Sequence, residues 1–430
     1  MTSGTGEFQN LGNEWDGIDT MKKAEGRKLD FKYEEEYREK YKNTPLEDIM
    51  IFRSGPMSSM YIEGMDFDDN SRAVFEYALD VGINKKYKLV WIVKDPSEWK
   101  DRFKEYENVL FLSWEDAESD DISKRDNFFW HLCLAKYLFM TDSYGFALGS
   151  RKDQIRVMLW HGCGFKARLS LSSNEHNYEY FTVPGEEYAK TYAKNFGLRD
   201  DQMIVTGLPK VDYIFHPDPD WVEKLKIRKA KKYVFWLPTF RNVDRPGFER
   251  HNHTQPEGET GLPMVASMDE MSKLNTLFEK EDAVMIIKLH PMQDRKLIGD
   301  FSQFTNIQLL ENKDLLKQDI QLNQILGYAD ALISDYSSVA VDYLVMDRPI
   351  GFTLDDFDTY ANERGFDWPD VKPHLPGKEL YIFDEMYDYI KSVLGGIDPG
   401  IQKRHSICDE MQKYKDDQSC KRVLEYLGII

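Results

Sequence analysis

From residue 48 onward, short apolar runs alternate with amphipathic segments, and this rhythm constrains the fold more than any other feature of the chain. The runs "DIMIFRSG", "YKLVWIVKD", "VLFLSW", "YLFMTDS" and "RVMLWHG" are separated by stretches such as "SRAVFEYALDVG" and "DNFFWHLCLAKY", where apolar residues recur at helical spacing. Strand, helix, strand at this spacing predicts parallel sheets wrapped by helices. "YFTVPG", "EEYAKTYAKNFG" and "MIVTGLPKVD" carry the pattern to residue 213. The proline-containing, charged stretch "FHPDPDWVEKLKIRKAKK" then suits a crossing between lobes, with the boundary at 215–230. A second series follows: "YVFWLPTF", "MDEMSKLNTLFEKED", "AVMIIKLHPM", "ALISDYSS", "VAVDYLVMD" and "PIGFTLDD". The expected organisation is a polar N-terminal extension over 1–45, an N-terminal Rossmann-like lobe over 46–220, a C-terminal Rossmann-like lobe over 221–400 and a helical segment over 401–430. Two doubly wound α/β lobes would face a central cleft.

Length agrees, since 430 residues fit two domains of about 150 to 200 residues each. With 41% hydrophobic and 30% charged residues the chain can bury sizeable cores. Its formal net charge of -19 argues against a protein that coats nucleic acid or lies broadly on an anionic bilayer. Cys133, Cys163, Cys408 and Cys420 show no C-x-x-C spacing, which points to reduced thiols in a cytoplasmic enzyme. No apolar stretch approaches the roughly 20 residues that span a bilayer, so a soluble or at most peripheral protein is expected. In "DFKYEEEYREKYKN", Tyr33, Tyr37 and Tyr41 at four-residue spacing predict a helix whose aromatic stripe docks onto a lobe or touches a membrane.

In open α/β sheets ligands bind outside the carboxyl ends of strands. Four of those ends are unusual here: "MLWHG" ends in His161 and Gly162, "FWLPTFR" in Thr239 and Arg241, "IIKLHP" in His290, and "LISDYSS" in Asp335 through Ser338. A lone histidine after an apolar run is ordinarily a packing residue. Two of them in different lobes, with hydroxyl groups and an arginine at other strand ends, supply what phosphoryl transfer needs: a base near neutrality, donors for phosphate oxygens and backbone amides at a helix start. Around His161 lie Arg151, Lys152, Arg156, Lys166 and Arg168, either a rim for an anionic partner or ordinary solvated charges. His251 and His253 sit in a polar, Pro/Gly-rich stretch with no third ligand, so no metal site is expected. Neither G-x-x-x-x-G-K-[ST], nor a strand-linked G-x-G-x-x-G, nor G-x-S-x-G occurs, which sets aside P-loop, dinucleotide and α/β-hydrolase chemistries.

"WHG…K" at 160–166, "TGLPKVD" at 206–212, "LPTFR" at 237–241, "LHP" at 289–291, "SDYSSVAVDYLVMDRPIGF" at 334–352 and "YANERGF" at 360–366 resemble, in order, the CDP-glycerol glycerophosphotransferase family. "DDNSRAVFEYAL" is similar to that family's N-terminal lobe. The resemblance implies a GT-B fold, with the first lobe on the acceptor side and the second on the CDP-donor side. It implies transfer of glycerol phosphate from CDP-glycerol, or ribitol phosphate from CDP-ribitol, to a lipid-linked or saccharide acceptor at the cytoplasmic membrane face, in teichoic acid or capsule synthesis. No cofactor and no divalent metal follow from it; the CDP-polyol is a substrate.

Carried over by position, His161 resembles the base for the acceptor hydroxyl and His290 the second essential histidine, against the donor pyrophosphate. Ser337 and Ser338 would hold phosphate oxygens, Thr239 and Arg241 would close the site, and Arg364 would reach the donor. Asp335 and Asp342 would orient partners. Gly162, Lys166 and Arg168 are the acceptor-side candidates. One departure stands out: the family's Trp-His-Gly-Thr-Pro-Leu-Lys reads "WHGCGFKA" here, which places Cys163 and Gly164 in the turn beside the presumed base. Cys163 is expected to be a packing residue, because direct attack needs no covalent enzyme intermediate. Two rival readings share the pattern: a GT-B glycosyltransferase using a nucleotide sugar, and a non-catalytic module that binds polymer or nucleotide.

Overall fold

The computed structural model describes residues 31–55, 65–141, 151–167, 178–241, 256 and 258–430. The chain divides into two compact units, one comprising Met1–Phe67, Ala78–Met158 and Ser170–Tyr180, the other Asp68–Tyr77, Leu159–Leu169 and Phe181–Ile430. Among the described residues no helix is long and apolar enough to cross a membrane. Arg168, His251 and His253 lie outside the described residues.

In the first unit the apolar runs become β1 (Glu47–Arg53), β2 (Lys88–Val93), β3 (Val109–Ser113), β4 (Ala135–Met140) and β5 (Ile155–Met158), paired in parallel in the order β3-β2-β1-β4-β5. Central β1 is buried on both faces from Ile49 to Phe52, and Phe52 stacks between Trp91 and Phe139, with ring centroids 5.8 and 5.0 Å away. The helix Glu34–Tyr41 docks on the helix Ile122–Leu134. Tyr37 is buried against Phe129 at 4.5 Å and donates its hydroxyl to Asp126 at 2.6 Å. The aromatic stripe is therefore a docking face.

The second unit pairs residues 181–183 of β6 (Tyr180–Val183) with β7 (Met203–Val205). It also holds a six-stranded sheet of β8 (Lys232–Leu237), β9 (Ala283–Lys288), β10 (Ile307–Leu310), β11 (Ala331–Ser334), β12 (Ile350–Thr353) and β13 (Lys378–Leu380), all parallel and ordered β10-β9-β8-β11-β12-β13. The helices Met268–Lys280 and Phe383–Leu394 cover one face, where Leu274, Phe278, Met386 and Ile390 pack on Trp236, Ile287 and Ile333. Ser267 and Glu270 close the first of these helices with a reciprocal capping box.

Strand order fixes where this unit opens. The chain starts in the middle with β8, runs outward through β9 and β10, then returns to lay β11 on the other side of β8. The order reverses between β8 and β11, and in open α/β sheets ligands bind in the crevice outside the carboxyl ends of strands at such a switch point. Leu237 and Ser334 are register partners there, so the segments after them start level.

Candidate active site

The two loops at that crevice are built on one another. The Thr239 amide donates to Asp335 Oδ2 at 2.8 Å and its hydroxyl to Asp335 Oδ1 at 2.5 Å. Arg241, 1% exposed, pairs with Asp335 at 3.1 Å and Asp356 at 2.7 Å, and donates to the Thr239 carbonyl at 2.8 Å. Burial alone would lower the guanidinium pKa, but the two carboxylates more than offset it and hold the charge. Tyr336 donates to Asp356 at 3.1 Å and stacks on Tyr360 at 4.2 Å. Thr239, Arg241 and Asp335 thus spend their polar atoms on a buried network that shapes the crevice floor.

Above that floor stand Ser337 and Ser338, both partly exposed. The helix expected after them is a single turn, Val339–Asp342, continued by a 3-10 turn, Tyr343–Met346, and stopped where Asp347 turns left-handed ahead of Arg348 and Pro349. A macrodipole grows with aligned peptides, so this start offers hydroxyls and local amides more than the field of a long helix.

The loop with the first histidine reaches the same serines. Its backbone is unusual: Trp160 has φ +58° and Gly162 φ +139°, with His161 between them. The His161 side is exposed and its ring lies 4.2 Å from the Trp160 ring. A Cβ on Gly162 would sit 2.5 Å from Ser338 Oγ, and one on Gly164 2.9 Å from the Ser338 amide nitrogen. The departure from the family pattern therefore has a steric account: glycine at 164 lets this turn press against the serine backbone, while Cys163 is fully buried as packing. Beyond it, Lys166 bridges Phe366, and the Ala167 amide donates to the Gly365 carbonyl at 3.0 Å, which draws partly exposed Arg364 alongside.

His290 follows β9, partly exposed at the surface and closely surrounded by protein, with the Phe240 ring 4.7 Å away. The Met292 amide donates to its Nδ1 at 3.1 Å, so the neutral ring carries its proton on Nε2. Burial, then the charges of Lys166, Lys288 and His161, hold His290 well below the ordinary histidine range. Lys288 is 6% exposed, with Asn312 Oδ1 at 3.5 Å, and burial brings its ammonium down to about 8. The strand "AVMIIKLHP" carried that signal in sequence, since a lysine closing a wholly buried strand must be desolvated.

The structure thus brings His161, Gly162, Lys166, Ser338, His290 and the Arg364 segment to one region of the second unit, and sets Thr239, Arg241 and Asp335 beneath. Arg151 and Arg156 are spent elsewhere: Arg151 on Asp153 and the carbonyls of Tyr41 and Thr44, Arg156 on Glu179. Neither a rim for an anionic partner nor ordinary solvated charges describes these two residues, which pair internally. Among the described residues no group of three or more His, Cys, Asp or Glu could hold a metal ion.

A family model described as CDP-Glycerol:Poly(glycerophosphate) glycerophosphotransferase matches residues 52–428. The chain belongs to this family. Among its relatives, it is 27% identical over 313 residues to the teichoic acid ribitol-phosphate polymerase TarK of Staphylococcus aureus, covering 68% of this chain and 56% of that one. To the teichoic acid glycerol-phosphate primase of Bacillus subtilis it is 25% identical over 324 residues, covering 69% and 76%. The chain spans about half the length of TarK and of its relative TarL. The wall teichoic acid polymerase TagF has a similar structure, with TM-score 0.65 at 17% identity over 97% of this chain and 98% of that one. The fold is α/β of GT-B type, as the resemblance implied.

Proposed function

We propose that this chain transfers a polyol phosphate, in the first instance glycerol phosphate, from CDP-glycerol to a hydroxyl of a growing cell-surface polymer or lipid-linked acceptor, releasing CMP. The observation that carries the reading is the meeting of the His161 loop, the Ser337–Ser338 pair and the Arg364 segment at one strand-end crevice. In the proposed step the acceptor oxygen attacks the phosphorus bearing the glycerol. A new P–O bond forms, the P–O bond to CMP breaks, and CMP leaves with the electron pair. His161 takes the acceptor proton, while Ser337, Ser338, Arg364 and the cations Lys166 and Lys288 face the charge on the diphosphate. His290, kept neutral, offers its Nε2 hydrogen to an oxygen without adding like charge beside those lysines. Ribitol-phosphate polymerases stand among the relatives, so CDP-ribitol is the second donor to consider. A lipid-linked acceptor would put the reaction at the cytoplasmic membrane face.

Calorimetric titration of CDP-glycerol, CDP-ribitol and a UDP-sugar into wild type and the Ser337→Ala/Ser338→Ala variant tests the donor half. The expected result is binding of a CDP-polyol, weakened at least about tenfold in a variant that melts like wild type, as for lost charge-assisted hydrogen bonds. Tighter binding of the UDP-sugar would favour a nucleotide-sugar transferase. Unchanged affinity in the folded variant would remove the serines from the donor site.

A further inference from the structure

Two motifs have no task in that scheme: "DDNSRAVFEYAL", which begins with Asp68 and Asp69, and "TGLPKVD", which contains Lys210. The structure brings them together under the His161 loop. Asn70 Nδ2 donates to the Trp160 carbonyl at 2.8 Å, and Asn70 Oδ1 accepts from the Lys210 amide at 2.9 Å. The Lys210 ammonium donates to the His161 carbonyl at 2.7 Å, with Asp69 at 3.3 Å and Asp342 at 3.5 Å. Asp342 belongs to the single helical turn that follows Ser337 and Ser338.

We infer that Lys210 is a positioning residue, a partly buried tether that fixes the His161 backbone relative to the Ser337–Ser338 turn. The inference rests on the proposed role of His161. The carbonyls of two successive residues, 160 and 161, are each held by a side-chain donor, and Trp160, just before His161, sits at φ +58°, a conformation a tryptophan in a free loop would abandon. Asp342 transmits the serine turn's position to the ammonium, and the ammonium transmits it to His161. The charge needed for the tether is secure: burial works against the ammonium, but Asp69 and Asp342 more than offset it and keep Lys210 above the ordinary lysine range. Asp69 in turn is pushed up to about 7, by burial first, with Lys210 opposing and Asp68 adding to it. Two carboxylates and one carbonyl on a single ammonium are more than a local surface ion pair requires, and the cluster joins four separate segments of the chain.

The test is CMP release at saturating acceptor by wild type, His161→Ala, Lys210→Met and the double variant, with thermal melting of each. Lys210→Met is expected to lower kcat about 10- to 100-fold, the cost of a misplaced catalytic group, with the donor KM within about twofold of wild type. The double variant should be no slower than His161→Ala alone, because a tether has nothing left to position. Wild-type turnover in Lys210→Met, losses that multiply in the double variant, or a raised KM at unchanged kcat would overturn the inference. Should Lys210→Met fail to fold, Asp342→Asn supplies the same comparison. Wild-type activity in His161→Ala would instead remove the base assignment. Independently of turnover, carbon-13 labelled histidine reports the tether directly: the His161 ring resonance should shift and broaden in Lys210→Met, and an unchanged resonance would count against it.

Discussion

A lysine that ends a buried strand is an expensive residue, and Lys288 shows what the expense provides. Its ammonium lies beside His290 with an amide oxygen for company, and burial brings it down to about 8. With the pKa depressed, Lys288 is cationic below pH 8 and neutral above it. If that charge helps to receive the donor diphosphate, kcat/KM for the CDP-polyol should fall above pH 8, since this parameter reports the free enzyme. Lys288→Met should abolish the limb and lower kcat/KM about tenfold at pH 7, on the scale of one charge-assisted contact. A wild-type profile flat to pH 9, or a limb that persists in the variant, would assign the role elsewhere. Single residues were unevenly legible in sequence. His161, His290 and the serine pair stood out because polar groups ended apolar runs. Lys210 did not, because nothing local distinguishes a paired lysine in a short 3-10 turn from a solvated one; its partners lie 141 positions earlier at Asp69 and 132 later at Asp342.

At the scale of elements, the loops after β8 and β11 act as one piece. Asp335 accepts both Thr239 donors and faces Arg241, so its removal leaves a buried guanidinium with one carboxylate in place of two and strands both Thr239 donors. Asp335→Ala should destabilise the protein by about 3–5 kcal/mol in urea unfolding, as for a broken buried ion pair. Ser337→Ala/Ser338→Ala, on partly exposed residues, should change it by less than about 1 kcal/mol. Equal costs would show that the serines, too, belong to the scaffold. The sequence pattern marked the helix start after the serines but not its length, because "VAVDYLVMD" has helical spacing for longer than the chain stays helical; Asp347 and Pro349 end it. The basic stretch near residue 151 misled for the opposite reason. Charge in sequence says nothing of partners, and Asp153 and Glu179 had already taken Arg151 and Arg156.

At the scale of the whole molecule, both sheets are laid down from the middle outward and then reversed, β1 beside β4 and β8 beside β11. That order follows from right-handed crossovers between parallel strands, and the alternating apolar runs announced it. The polar strand ends were legible for the same reason, though the cleft expected from the sequence lay between the two lobes. What the pattern lacked was the division of labour inside the crevice after β8 and β11: Thr239, Arg241 and Asp335 as floor, Ser337, Ser338 and the His161 loop above. In the proposed function this crevice moves a polyol phosphate with His161 as base. The measurement that meets it most directly is CMP release from CDP-glycerol and CDP-ribitol, with and without a lipid-linked or saccharide acceptor, by wild type and His161→Ala. The account predicts acceptor-dependent release from one of the two donors, reduced about 100- to 10,000-fold in the variant, the usual worth of a general base. No release from either donor by folded wild-type protein with any acceptor, or full release by His161→Ala, would contradict it.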